Sequence, residues 1–200
     1  MKIFGIGRNY PSENSTKPSS PIVFTKADTS ILKNGQDFYY PSFSQEIVNE
    51  VEIVVKIDRE GKNIQPKFAH KYYKEIAVGI DFTARDLIQK AKEEGLPWDI
   101  AKGFNGSAPV SEFFPIENFK SISDINFSLL VNGEVRQEGN TKDLYFTVDE
   151  LIAFISTYFT LKKGDLIFTG TPVKGIAPIQ IGDKLEAYLE GEKRLEVEVK

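Results

Sequence analysis

The chain has no cysteine, one methionine, one tryptophan and one histidine in 200 residues. Without cysteine there are no disulfides and no thiolate ligands, which is compatible with a reducing cytosol and leaves oxygen donors as the default for any metal. No apolar run approaches the length of a membrane span, and the opening Met1–Gly7 is too short and too quickly polar for a secretory signal, so a cytoplasmic protein without membrane partners is expected. Excess charge is also lacking. The net charge is -4 and Lys and Arg are scattered, which gives no footprint for nucleic acid. What is present is 40% hydrophobic and 12% aromatic residues, enough for the core of one domain over residues 1–200.

Strand-like runs outnumber helical ones. They cover Ile22–Lys26, Glu50–Ile57, Glu75–Ile80, Phe127–Val131, Val135–Gln137, Leu166–Thr169, Lys184–Leu189 and Leu195–Val199. Asn132-Gly133 between two of them predicts a type I′ hairpin, which needs positive φ at both central positions. One helix is expected from near Thr83, with that side chain capping the turn that contains Asp86, to Glu94 before Gly95 and Pro97. A second starts at Thr147, which has capping-box spacing to Glu150, with Val148, Leu151, Ile152, Ile155 and Phe159 on one face. Segments rich in Ser, Pro and Gly at Pro11–Pro21 and Gly170–Gly182 read as loops, the first as a lid.

Within the run Glu50–Ile57, Glu50 and Glu52 are two residues apart on a strand, so their carboxylates project together roughly 6.6 Å apart, while Val51, Ile53, Val55 and Ile57 fill the other face. Such a pair takes a hard divalent cation or simply decorates a wet strand face. A third acid, Asp81, follows the apolar run Ile76–Ile80 where a strand gives way to a helix, a place that suits an accessible fixed carboxylate or an ordinary turn aspartate. Lys102 lies in Ala101-Lys102-Gly103-Phe104, either at the surface or facing an anionic ligand. His70, in the Lys- and Tyr-rich stretch Lys67–Lys74, reads as surface.

The stretch Val78-Gly79-Ile80-Asp81-Phe82-Thr83-Ala84-Arg85-Asp86, with Gly95-Leu96-Pro97-Trp98, Ala101-Lys102 and Pro109-Val110-Ser111, resembles the fumarylacetoacetate hydrolase family. Gly7-Arg8-Asn9-Tyr10, Glu50-x-Glu52, Asn132-Gly133-Glu134-x-x-Gln137, Gly164–Pro172 and Gly182-Asp183 extend the likeness over nearly the whole chain, with the small acylpyruvase and oxaloacetate-acting branch the nearest. The resemblance implies an α+β, β-rich fold, a mixed β-sandwich or β-roll of the fumarylacetoacetase C-terminal type with a few peripheral helices, commonly a homodimer. It implies Mg²⁺ or Mn²⁺, with Ca²⁺ as a third candidate, on Glu50, Glu52 and Asp81. It places Lys102 on the substrate's oxygens and Thr171 on its carboxylate, with Arg85 at the site or in a salt bridge behind it.

The implied substrate is a small dicarboxylate or oxo-acid of the acylpyruvate or oxaloacetate type, and the implied chemistry a metal-stabilised enolate. Hydrolysis, decarboxylation and tautomerisation all fit, as does isomerisation of a 2-hydroxyhepta-2,4-diene-1,7-dioate. Cleaving members of the family carry a His and a Glu on the lid. Here Glu13 and Thr16 stand at those positions, so Glu13 is the candidate base, and loss of the pair also fits a metal-binding member with weakened catalysis. Asn49 and Ile88 stand where relatives often have His and Gln.

Overall fold

The structure, a computed structural model, describes residues 1–13 and 16–200. Its strands are β1 (Ile3–Gly7), β2 (Ile22–Lys26), β3 (Ile31–Lys33), β4 (Ile47–Val48), β5 (Val51–Ile57), β6 (Tyr73–Ile80), β7 (Thr83–Ala84), β8 (Ala108–Val110), β9 (Phe114–Pro115), β10 (Asn126–Val131), β11 (Glu134–Asn140), β12 (Leu166–Phe168), β13 (Lys184–Leu189) and β14 (Glu192–Glu198). The helices are α1 (Pro66–Ala69), α2 (Arg85–Glu94), α3 (Asp99–Lys102) and α4 (Val148–Tyr158). The larger sheet runs β2-β1-β12-β5-β6-β8-β3, with β9 beside β6, and is mixed because β1 pairs with β12 and β3 with β8 in parallel. A second sheet runs β11-β10-β13-β14, and β4 pairs with β7. This is the expected β-rich α+β fold.

The alternation of β5 decides where its side chains go. Val51, Ile53, Val55 and Ile57 enter a core shared with Leu129, Leu185, Ala187, Leu195 and Val197 of the second sheet and with Leu151, Ile152 and Ile155 of α4. Val54 enters a separate cluster with Ile3, Ala77, Ala108, Val110, Leu166 and Phe168. Both faces of β5 are therefore buried, and Glu52, on the Val54 side, is 1% exposed. The wet strand face that Glu and Val in alternation also allowed is excluded, because the sheet is covered on that side as well.

The hairpin between β10 and β11 has φ of 54° at Asn132 and 82° at Gly133, the positive pair the sequence called for. The helix expected from Thr83 begins instead at Arg85. Thr83 does not cap it, since the residue pairs in β7 and its hydroxyl donates to Asp81 O at 3.4 Å. Asp86 anchors the preceding loop, accepting from Ser44 Oγ at 2.6 Å and Gln45 N at 2.9 Å. At α4 the capping box forms as expected. Phe159, expected on the buried face of that helix, is its C-cap and is exposed, because the chain turns extended there.

Thr147→Ala removes the hydroxyl that accepts from Glu150 N, and is expected to lower stability by about 1 kcal/mol without changing the fold. Urea unfolding at constant m-value checks it.

Candidate active site

Backbone pairing brings the three acids together. Asp81 N donates to Glu50 O at 2.7 Å where β6 leaves the ladder beside the entry of β5, so these two side chains emerge side by side. Glu52 follows two residues later, and one oxygen from each of the three carboxylates lies within 4.8 Å of the others. The backbone N–H of Gly170 donates to Glu52 Oε2 at 2.7 Å. Gly170 has φ of 106° and passes so close to Asn9 that a Cβ there would lie 2.7 Å from the Asn9 Cβ, so the turn carrying that amide accepts no other residue without shifting. Asn9 holds the turn, its amide donating to Thr169 O at 2.8 Å and Phe146 O at 3.1 Å while accepting from Phe146 N.

Two lysines meet these acids. Lys102, at the end of α3 and 5% exposed, donates to Glu50 Oε2 and Asp81 Oδ2, each at 2.7 Å. Burial alone would lower its pKa, but Asp81 and Glu50 outweigh burial and hold it above the usual lysine value, so it stays charged. Lys26, on β2, lies 2.7 Å from Asp81 Oδ1 and donates to Ser107 O and Ser107 Oγ, both at 2.9 Å, and to Lys102 O. Its pKa is lowered by burial, against the pull of Asp81. Sequence reading did not single out Lys26, because a lysine ending a short strand is ordinarily a solvated one.

This donor set fits a divalent cation. With every group in its charged form, three carboxylates against two ammonium groups leave one net negative charge in a largely buried place. Burial, then Asp81 and Glu50, push the Glu52 carboxyl well above its usual range, a burden that a cation relieves. Asp81 Oδ1 is buried and accepts no hydrogen bond of good geometry, even with Lys26 Nζ nearby. Hard oxygen donors of this kind suit Mg²⁺, Mn²⁺ or Ca²⁺ rather than softer ions.

Beside the cluster lies a cavity of about 200 Å³. Glu50, Lys102 and Thr171 line it together with Arg8, Ile88, Lys92 and Trp98. Arg8, held at φ of 56°, and Lys92 add positive charge to its wall; neither was assigned a role from sequence. Ile88 and Lys92 reach it together because i and i+4 share a face of α2. Thr171 Oγ1 donates to Val51 O at 2.8 Å and accepts from Gln137 Nε2 at 3.1 Å.

The other predicted residues lie apart. Arg85 is partly exposed, its Nε 3.8 Å from Glu46 Oε1, and does not line the cavity. Glu13 is exposed and lines a different opening with Pro11, Ser12, Val173 and Lys174; Val173 is common to the two. Residues 14 and 15 of the expected lid lie outside the described residues. His70 is exposed, as expected, and acts electrostatically on Asp149 rather than on the carboxylate cluster.

Residues 2–200 match the C-terminal domain of fumarylacetoacetate (FAA) hydrolase. The mitochondrial oxaloacetate tautomerase FAHD1 of Mus musculus is 38% identical over 199 residues, covering 98% of this chain and 90% of the relative. The structure of fumarylpyruvate hydrolase from Pseudomonas aeruginosa, in complex with Mn²⁺ and pyruvate, superposes with a TM-score of 0.92 at 31% identity, over 100% of this chain and 89% of that one. The 2-hydroxyhepta-2,4-diene-1,7-dioate isomerase of Mycobacterium marinum gives 0.87 at 30% identity, over 99% and 73%.

Free Mn²⁺ at about a hundred times its dissociation constant is expected to stabilise the protein by about 2.7 kcal/mol, raising Tm by several degrees. Glu52→Gln should lose most of that rise and melt, without metal, no lower than the wild type. Equal Mn²⁺ shifts in both proteins by scanning calorimetry would remove Glu52 from the ligand set.

Proposed function

The chain belongs to the fumarylacetoacetate hydrolase family, and from that premise we propose that this enzyme is a Mg²⁺- or Mn²⁺-dependent tautomerase of small 2-oxo acids of the oxaloacetate and acylpyruvate type. The whole of residues 1–200 forms its catalytic domain in this reading. Glu50, Glu52 and Asp81 would hold the cation, which when bound would supply Lewis-acid stabilisation of the enolate. Lys102 keeps its proton at Nζ and turns from the carboxylates to the substrate, where its charge stabilises the enolate oxygen. Thr171 receives the substrate carboxylate, and Arg8 and Lys92 draw the anion into the cavity. Arg85 supports the loop around Glu46 instead of touching substrate.

One observation supports tautomerisation over hydrolysis. No histidine reaches the cavity, since the only one in the chain is His70, and Glu13 and Thr16, which stand where a water-activating pair is expected, are both exposed. Enol–keto exchange needs a proton removed at carbon, which solvent water in the open cavity can accept, and one returned at oxygen; hydrolysis needs in addition a positioned base to activate an attacking water. Hydrolysis with Glu13 as that base is the second reading, favoured by Val173 walling both openings. Similarity to the oxaloacetate tautomerase supports the first reading and similarity to the fumarylpyruvate hydrolase the second. We also read the protein as a cytoplasmic homodimer, for which exposed Tyr39, Phe43, Ile100 and Ile181 offer apolar surface.

The test is to follow enol absorbance and products with Mg²⁺ or Mn²⁺ and oxaloacetate, acetylpyruvate or fumarylpyruvate. Enol–keto exchange that is abolished by a chelator and reduced about a hundredfold in kcat/KM by Lys102→Met is expected. Accumulating pyruvate, acetate or fumarate would replace the tautomerase by a decarboxylase or hydrolase, and a shifted diene by the isomerase.

A further inference from the structure

Gln137, 1% exposed on β11, uses its whole hydrogen-bonding capacity on the site. Its Oε1 accepts from Val51 N at 3.1 Å and from Asn49 Nδ2 at 2.7 Å. Its Nε2 donates to Thr171 Oγ1 at 3.1 Å and to Pro172 O at 2.9 Å. The orientation of the amide is dictated by backbone groups with one role each, since Val51 N–H can only donate and Pro172 C=O can only accept. Asn49 is fixed likewise, its Nδ2 also donating to Gly175 O at 3.2 Å.

From this direction of donation we infer that Gln137 is a positioning residue that sets the Thr171 hydroxyl as a hydrogen-bond donor towards the substrate carboxylate. Because Nε2 already donates into Oγ1, the hydroxyl's own proton must point elsewhere. Without substrate it goes to Val51 O at 2.8 Å, and a carboxylate arriving in the cavity takes that proton instead. An acceptor in place of Nε2 would capture the proton and turn Thr171 away from its anion.

The same amide grips Val51, the residue between Glu50 and Glu52, so the carboxylate pair and the anion-receiving turn are held by one side chain that reaches across from the second sheet. At Gly175 the turn packs closely against β11. Gly175 has φ of 90°, and a Cβ there would lie 1.8 Å from Arg136 O, next to Gln137. The backbone of 171–175 is thus pressed against β11 at the point from which the amide projects. The inference rests on the proposed function for its substrate, whereas its structural half stands on these contacts alone.

Two variants separate the halves of the amide. Gln137→Glu retains an oxygen for Val51 and Asn49 but turns an acceptor towards Thr171. Gln137→Met loses all four bonds at similar volume. With oxaloacetate and Mn²⁺, Gln137→Glu is expected to raise KM about tenfold, as for one charge-assisted bond lost, while Mn²⁺ affinity by calorimetry stays within about threefold. Gln137→Met should weaken both. Thr171→Val should raise KM like Gln137→Glu, with no further rise in the double variant, and Thr171→Ser should restore the wild-type value. Hydrogen exchange of the peptide spanning Gly170–Ile176 should quicken in both Gln137 variants. Wild-type KM in Gln137→Glu, additive losses in the double variant, or joint loss of KM, Mn²⁺ affinity and melting temperature in both variants would overturn the inference. A wild type without turnover on any oxo-acid would instead refute the proposed function, and the exchange rates would then decide the structural half by themselves.

Discussion

The constraint on which the rest of the structure depends is the meeting of three carboxylates, Glu52 and Asp81 buried and Glu50 partly so, with one oxygen of each within 4.8 Å of the others. Like charges so placed in a poorly solvated interior repel by several kcal/mol unless something opposes them. The fold supplies that opposition from three directions: Lys102 from a short helix, Lys26 from the edge strand β2 and the Gly170 amide from a turn. Each comes from a distant part of the chain. The cluster therefore exists only when the tertiary structure does, and the remaining negative charge is what gives the site its demand for a cation.

The two lysines are not equivalent. Lys26 is enclosed and its ammonium is spent on Ser107 and Lys102 carbonyls as well as on Asp81, so it acts as a fixed countercharge. Lys102 lines the cavity and bonds only the carboxylates that a cation would engage. Once a cation took those oxygens, Lys102 would be the cationic group free to turn to a substrate. The division follows from position: one ammonium faces carbonyls behind the acids, the other faces the opening.

Around this centre the irregular segments are pinned more firmly than their composition suggests. The Gly170–Ile176 turn is held by Asn9 on one side and by Gln137 and Asn49 on the other. These are amide side chains, which both donate and accept, and they join segments that share no ladder. A loop rich in Gly, Thr and Pro thereby becomes a hydrogen-bonded wall of the cavity, while the opening near Glu13 is left at the protein surface.

Much of the fold was legible in the sequence. Strands with two-residue alternation, the Asn132-Gly133 hairpin and the capping box at Thr147 are local patterns whose physics is complete within a few residues. The short strands β3, β4, β7, β8 and β9 were not legible, since two or three residues have no period and pair only because distant partners arrive beside them. The start of α2 was misread for the same reason: Thr83 has the chemistry of a cap, but pairing with Val48 claimed its backbone first. The spacing of Glu50 and Glu52 determined that they share a face, and the motifs pointed to Asp81, Lys102 and Thr171 as their companions. Tertiary structure alone decided that this face is buried, that Lys26 completes the charge balance, that Arg85 turns to Glu46 and Glu13 to another opening, and that Gln137 reaches from the second sheet to Val51 and Thr171. Alternation fixes the direction of a side chain along its own strand, but burial and charge pairing depend on what the rest of the chain lays against it.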